Sequence, residues 1–389
     1  MGRKHVYGIV QADRGTRPGA LGVGGSPIYT LAYQGLACVL SDYAGDDFAN
    51  MPKEELVRHL LVYQAVIEQV IEEDTVLPVK FGTLLAGEGE VLELLSQGHS
   101  RLADALARVD GRIEVEVAAT WDINQVLAEI AHEPEIAQAR EAVRKALATL
   151  PAGDVLQQRV RLGQMVKEAL DQRREAHRQR MMDFLRPLAL DMQPNALISD
   201  QMVMNVAFLV DRAREKEFVC HLEQLSDLFH DQINFRIVGP LPPYSFSTVE
   251  VSRPDWDEIA AAKQALGLGD VISESEVRQA YRSLAGRSHP DLNPGDGAAK
   301  DRFTRLRSAS ATLLGYCRGR AIPLRGSPGP GGLGIKGLAD STDAEARHPV
   351  TRDSVQRTLL LTIGRSAGQE AEAFCPSRPV RRQAQAGRA

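Results

Sequence analysis

Apolar and polar positions along the chain alternate between two periods, and the switches between them mark out the elements. Strand-like runs are expected at 5–10, 28–33 and 36–42, the last two joined as a hairpin at Gly35. Pro52 then opens a helix whose apolar positions Leu56, Leu60, Tyr63, Ile67 and Val70 form one stripe, and the acidic run 72–74 ends it. The run VLPVKFGTLL at 76–85 reads as the next strand. A second helix follows at 90–109, with Val91, Leu95, Leu102 and Leu106 on one face, and Gly111 stops it. At 113–121 the alternation is clean, with Ile113, Val115 and Val117 expected inward and Glu114 and Glu116 outward.

Helical patterning resumes near Asp122, breaks at 151–153, and continues as one long helix over 155–185. A strand at 202–210, a helix carrying Phe218, Leu222, Leu225 and Phe229, and a strand at 233–238 complete a second layer, which runs into GPLPPYSF at 239–246. Three prolines and two aromatics make that last segment stiff, and it is expected to wrap against the body in an extended form. From about Asp255 the pattern is purely helical: Ser273 and Glu276 form a capping box. Val277, Ala280, Tyr281 and Leu284 face inward on the helix it opens, and Phe303, Leu306, Ala309 and Leu313 on the next. After Arg318 no periodicity remains that buries a core, and the tail is expected to be disordered.

The order of elements predicts an α+β protein. Its expected parts are an N-terminal domain over 1–121, a second α+β domain with a long helix over 122–250, a small all-α hairpin module over 255–317 and a tail over 318–389. With its helices on one face, the first sheet is expected to leave the other open. Within VLPVKFGTLL, alternation separates Leu77, Val79 and Phe81, which are core material, from Pro78, Lys80 and Gly82. That second face lacks bulk, and Pro78 confines the strand to an edge, an end or a bulge. Pro78 and Lys80, with Tyr244 and Phe246 of the stiff segment, are therefore candidate docking residues; the bland alternative is a structural strand with a snorkelling lysine.

Composition narrows the partners. Apolar residues make up 43% and charged residues 25%, as in an ordinary soluble globular protein. The net charge of −5 is uneven: the tail from Arg318 holds 12 Lys/Arg against 6 Asp/Glu, and the rest 34 against 45. An acidic body argues against nucleic acid as a partner. Cys38, Cys220, Cys317 and Cys375 are scattered without a CxxC pair, which fits free thiols in a reducing cytoplasm. No apolar run reaches the roughly 18 residues that a membrane span needs, and no membrane partner is expected.

No motif of hydrolytic, nucleotide-binding or metal chemistry stands out, and neither an enzymatic activity nor a cofactor is expected. The exception to this blandness is His289-Pro290-Asp291, in the turn of the helical hairpin. Proline stiffens the turn, and the ionised Asp291 at its tip suits a charge-assisted contact with a partner's arginine. Arg278 and Arg282, four residues apart, share the helix face that leads to it.

Two resemblances follow from these residues. VYGIV at the start, VLPVKFGTLL, MNVAFLVDR at 204–212 and GPLPPYSF resemble, in order, the gas vesicle accessory proteins of the GvpL/GvpF family. That resemblance implies two α+β domains, the first ferredoxin-like, and a non-enzymatic factor in gas vesicle formation that binds the apolar shell protein GvpA and other accessory gas vesicle proteins. It also implies a place in the cytoplasm or at the gas vesicle. The second resemblance runs from Asp255 to Cys317 and is to the J-domain of DnaJ-type co-chaperones. It implies Hsp70 as a partner, with His289, Pro290 and Asp291 as the HPD motif and Arg278 and Arg282 as the basic face. The sequence departs from that family at Ala262 and Lys263, where a tyrosine pair is usual, and at Ser310, where a tyrosine usually fills the hairpin core; the module is expected to pack less well for it. Two other functions compete with the assembly factor: an Hsp70 co-chaperone whose first two domains are only an adaptor, and a minor structural component of the vesicle wall.

Overall fold

The computed structural model describes residues 2–13, 21–149, 151–230, 232–288, 298–319, 346–365 and 378–379. In chain order, strands β1 (Arg3–Gln11), β2 (Ile28–Tyr33) and β3 (Leu36–Tyr43) precede helix α1 (Lys53–Glu73), the short strands β4 (Leu77–Pro78) and β5 (Leu84–Leu85), and helix α2 (Glu88–Val109). Strand β6 (Arg112–Trp121) leads into α3 (Ile123–Ile130), α4 (Pro134–Thr149) and the 34-residue α5 (Ala152–Leu185). Next come β7 (Asp191–Pro194), β8 (Met202–Asp211), α6 (Glu215–Leu228) and β9 (Ile233–Leu241). The chain continues through β10 (Thr248–Ser252), α7 (Trp256–Leu266), β11 (Val271–Ile272), α8 (Glu274–Ser288) and α9 (Ala299–Gly319). Finally, β12 (His348–Pro349), α10 (Arg352–Gln356), β13 (Leu360–Gly364) and β14 (Arg378–Pro379) lie in the tail.

These elements form two compact units, one of residues 1–108 and 248–364, the other of 109–247 and 365–389. The mixed helix-and-sheet class is as expected, but the division of the chain is not. β6, expected to close the first domain, is instead the middle strand of the second unit's sheet, ordered β14-β9-β6-β8-β7 with every pairing antiparallel. Its hydrophobic alternation shows that it is a strand, but nothing local states which sheet it joins. The all-α module and the N-terminal elements share one unit, because β10 runs parallel to Val79 and ties the two together.

In the first unit the sheet order is β2-β3-β1-β4, with β5 also on β1. Among the described residues only a single 3-10 turn, Val23–Gly25, and no α-helix lies between β1 and β2, so the β-α-β-β-α-β order of a ferredoxin-like domain is not reproduced. Nor is a face left open. Val6, Tyr7, Ile9 and Val10 of β1 are all buried, as are Ala37, Cys38, Val39 and Leu40 of β3, so both faces are covered. One region of this core is aromatic: His5, Tyr7, Tyr43, Phe48, Tyr63 and Phe81 stack and tilt against one another. The His5 imidazole lies within this cluster, and neither of its nitrogens has a hydrogen-bond partner among the described residues. Desolvation, aided by His59, lowers its pKa to about 3.

VLPVKFGTLL is not one strand. Val79 N–H donates to the Tyr7 carbonyl, and Val6 N–H to the Thr83 carbonyl, so both ends of the stretch stay on β1. Between them Lys80–Thr83 forms a turn, with Gly82 at φ +83°, where a side chain would be strained. The approach of β1 to this edge is close at Gly8. A Cβ placed there would lie 2.4 Å from Val76 Cγ2 and 3.2 Å from the Leu77 carbonyl oxygen. Gly8→Ala is therefore expected to destabilise this unit by about 1–3 kcal/mol, read as a lower denaturant midpoint.

In the second unit, β6 is buried along almost its whole length. Ile113, Val115 and Val117 face a core as expected, but Glu114 and Glu116, expected outward, are buried too. The reason is the segment GPLPPYSF, which returns over β6: the Ser245 N–H donates to Glu114 Oε2 at 2.8 Å and the Ser245 hydroxyl to Glu114 Oε1 at 2.7 Å. Burial outweighs these two hydrogen bonds and raises the Glu114 pKa to about 8. Helix α6 packs on the same unit through Phe218, whose ring tilts against Phe208, and Phe229 meets Phe235.

The tail is not wholly without structure. Residues 346–364 fold as part of the first unit: β12 pairs with β11, β13 with β10, and Val350 and Val355 are fully buried in the core of the helical module. Composition misses this because four apolar side chains suffice when another part of the chain supplies the rest of the core.

Candidate functional site

The candidate residues do not gather at one place. Pro78 and Lys80 belong to the first unit, whereas Tyr244 and Phe246 belong to the second. Pro78 is buried and pairs with Gly8 across β1, so it is withdrawn from any docking surface. The edge that the missing N–H of Pro78 predicts is present, and the chain itself covers it. Lys80 N–H donates to the Val249 carbonyl at 2.8 Å, and Lys80 Nζ lies 2.9 Å from Glu250 Oε1. That edge was expected to meet a partner, and what meets it is the chain's own β10. Tyr244 and Phe246 are half-buried; Tyr244 packs on Val238 and Leu241.

Beside Lys80 lies an open cleft of 580 Å³, lined by Phe81 of the turn, by Leu84 and Leu85, and by Val251 and Arg253. Arg253 closes one end through a salt bridge to Glu90 at 2.6 Å. The cleft was not legible in the sequence, because Glu250 and Arg253 lie about 170 residues from the turn they face. The signal present in the sequence is the proline at 78, which confines its strand to an edge, an end or a bulge.

The helical module is built as its sequence suggests. Asp255 caps α7 by accepting from the N–H groups of Asp257 and Glu258, and Gly267 ends it at φ +65°. Ser273 and Glu276 cap α8 reciprocally, the Ser273 N–H donating to Glu276 and the Glu276 N–H to Ser273 Oγ. Arg278 and Arg282 are exposed on α8. Arg278 pairs with Glu274 at 2.8 Å, and Glu274 also receives Arg318 at 3.2 Å. At 49% side-chain exposure, such a pair contributes little and is readily exchanged for a partner's carboxylate. His289, Pro290 and Asp291 lie outside the described residues. The expected packing defect at Ala262 and Ser310 is met from two sides. Both residues are buried, and Ala262 shares one buried cluster with Tyr316 and with Val350 and Val355 of the tail.

Among the described residues, no group of three or more His, Cys, Asp or Glu side chains is arranged to hold a metal ion, and no helix is long and apolar enough to cross a membrane. What the arrangement offers is surface: an exposed basic helix face and a cleft flanked by strand edges.

Comparison with known proteins separates the two parts. The family model described as gas vesicle synthesis protein GvpL/GvpF matches residues 3–248, and the DnaJ domain model matches residues 264–316. Gas vesicle protein F of Streptomyces sp. (strain CB03234) is 30% identical over 246 residues, covering 62% of this chain and 98% of that protein. Chaperone protein DnaJ 2 of Corynebacterium glutamicum is 40% identical over 82 residues, 18% of this chain and 21% of that chaperone. The crystal structure of GvpF from Anabaena sp. PCC7120 matches with a TM-score of 0.56 at 23% identity, covering 63% of this chain and 98% of that one, and so shows a shared fold. The family match over residues 3–248, more than half of the chain, establishes that it belongs to the GvpL/GvpF family of gas vesicle proteins, and it carries a DnaJ domain at its C-terminal side.

Proposed function

We propose that the protein is an accessory factor for gas vesicle assembly, without catalytic activity of its own, that holds the apolar shell protein GvpA and other gas vesicle proteins and brings Hsp70 to them. One observation carries this reading: the DnaJ domain is folded into the same compact unit as the N-terminal sheet of a gas vesicle family member. A shell subunit made to stack edge to edge is an aggregation hazard until it is incorporated, and an Hsp70 recruited beside it counters that hazard. The protein acts in the cytoplasm and at the growing vesicle.

His289→Gln in the full chain tests the Hsp70 arm. The expected result is loss of Hsp70 ATPase stimulation, by about 10-fold or more, together with slower vesicle formation. Normal vesicle formation without stimulation excludes Hsp70 recruitment from the assembly role. Lys80→Glu tests the cleft. It sets a second carboxylate beside Glu250 at a solvent-exposed pair, so stability is expected to change by less than about 1 kcal/mol while capture of the shell protein in a pull-down falls. Unchanged capture removes the cleft from the binding surface.

A further inference from the structure

The tail segment 346–364 makes contacts of the kind a bound peptide makes. Its strand β13 adds antiparallel to β10, in register from Thr248↔Gly364 to Ser252↔Leu360. Its strand β12 adds to β11, with Val271↔Pro349 and Ile272↔His348. Between the two additions, Val350 and Val355 enter the core of the helical module, and Leu359 and Leu361 are buried as well. The receiving surface has matching polar groups. Tyr316 Oη donates to the Pro349 carbonyl at 2.8 Å, Val350 N–H donates to the Asp270 carbonyl at 2.7 Å, and Glu276 receives Arg347 at 2.9 Å. From α2, Arg101 donates to the Leu361 carbonyl at 2.8 Å and to the Arg318 carbonyl, the latter at the end of α9, at 3.4 Å. Gly98 makes room for this strand: a Cβ there would lie 2.5 Å from Leu361 Cδ2.

Strand addition to open edges, apolar side chains set in pockets, and side chains that grip main-chain carbonyls are the ways a folded domain recognises an extended peptide. The segment is separated from α9 by the Gly- and Pro-rich residues 320–345, so its place in the groove is set by these contacts and not by a short connection. We infer that residues 346–364 are an internal ligand, held in a peptide-binding groove formed by β10, β11, α2 and the helical module, and that this ligand clasps the DnaJ domain to the N-terminal sheet. When it is bound, Arg101 holds α2, α9 and β13 at one point, and the basic face of α8 is presented at a fixed position. When it leaves, the bridge from β10 to Val79 remains, with the Lys80–Glu250 and Arg253–Glu90 pairs and the Arg101–Arg318 hydrogen bond, and the groove is open to another extended segment with the same apolar spacing.

The test uses the full chain, folded intact, with one protease site inserted within residues 320–345 and another within 366–377. After cleavage the excised segment is expected to co-elute with the body on size exclusion and to exchange slowly with a labelled synthetic peptide of residues 346–365. A Leu361→Asp peptide is expected to bind at least about 100-fold more weakly, because it places a carboxylate at a fully buried position. Once the excised segment is separated from the cleaved chain and not replaced, amide protection is expected to fall at 248–252 and 271–272 but to persist in α7, α8 and α9. Two results overturn the inference. If the helices lose protection with the segment, it is an inseparable part of the module's core. If the excised segment dissociates at once and the peptide does not bind, the contacts are incidental. A Val355→Asp full-length chain provides a check that needs no cleavage: β10 is expected to lose protection while α2 retains it, and unchanged protection at β10 also overturns the inference.

Discussion

Glu114→Gln is expected to abolish most of the alkaline destabilisation of the second unit. Glu114 is nearly fully buried on β6 under the proline-rich return, and its pKa is raised from 4.5 to about 8. In the unfolded chain this carboxyl ionises near 4.5; in the folded unit it keeps its proton until about 8. The folded state therefore binds more protons between those values. The stabilisation is full below pH 4.5 and is lost as pH rises through 8, by on the order of 4 kcal/mol between pH 5 and 9. The amide has no proton to lose and still accepts from Ser245, so the variant's stability should be nearly flat across that interval. The measurement is amide exchange of β6 and β8 from pH 5 to 9, corrected for intrinsic rates, in both proteins. An equal pH slope in the two would mean that Glu114 does not carry the dependence.

The second large effect lies in the first unit and has the opposite sign. His5 is buried among Tyr7, Phe48, Tyr63 and Phe81, and its pKa falls from 6.5 to about 3. Below pH 6.5 the unfolded chain takes up a proton that the folded unit refuses. Stability is full above 6.5 and is lost as pH falls towards 3, again by on the order of 4 kcal/mol. His5→Phe keeps an aromatic ring and adds no charge, so it is expected to remove most of the acid loss, while the larger ring costs about 1–3 kcal/mol at pH 8 by overpacking. Urea midpoints at pH 4, 6 and 8 for both proteins decide it. The two units are thus expected to fail at opposite ends of the pH scale, the first in acid through a histidine and the second in alkali through a glutamate.

Much of the molecule was legible because periodicity and capping are local. The stripe on α1, the cap at Ser273 and the helical hairpin follow from residues within a turn or two of one another. The alternation at 113–121 gave the strand and one of its faces correctly. It failed on Glu114 and Glu116 because whether a polar face is solvated depends on what returns to cover it. Here the cover comes from Ser245, more than a hundred residues later. Pro78 announced an edge, and the edge exists; its neighbour β10 was not readable, because a single parallel bridge at Val79↔Val249 leaves no pattern in either segment.

The sequence by itself determined the α+β class, the family motifs, the helical module with its basic face and the special character of VLPVKFGTLL. Each rests on short-range stereochemistry, or on a spacing that a side chain must keep to reach a core. Only the tertiary structure decided that β6 belongs to the second sheet, that the DnaJ domain shares a unit with the N-terminal strands, and that a tail of unpromising composition completes the module's core. Those decisions depend on which distant surfaces meet, and a buried contact removes the same apolar area from water whether its partner is four residues away or two hundred.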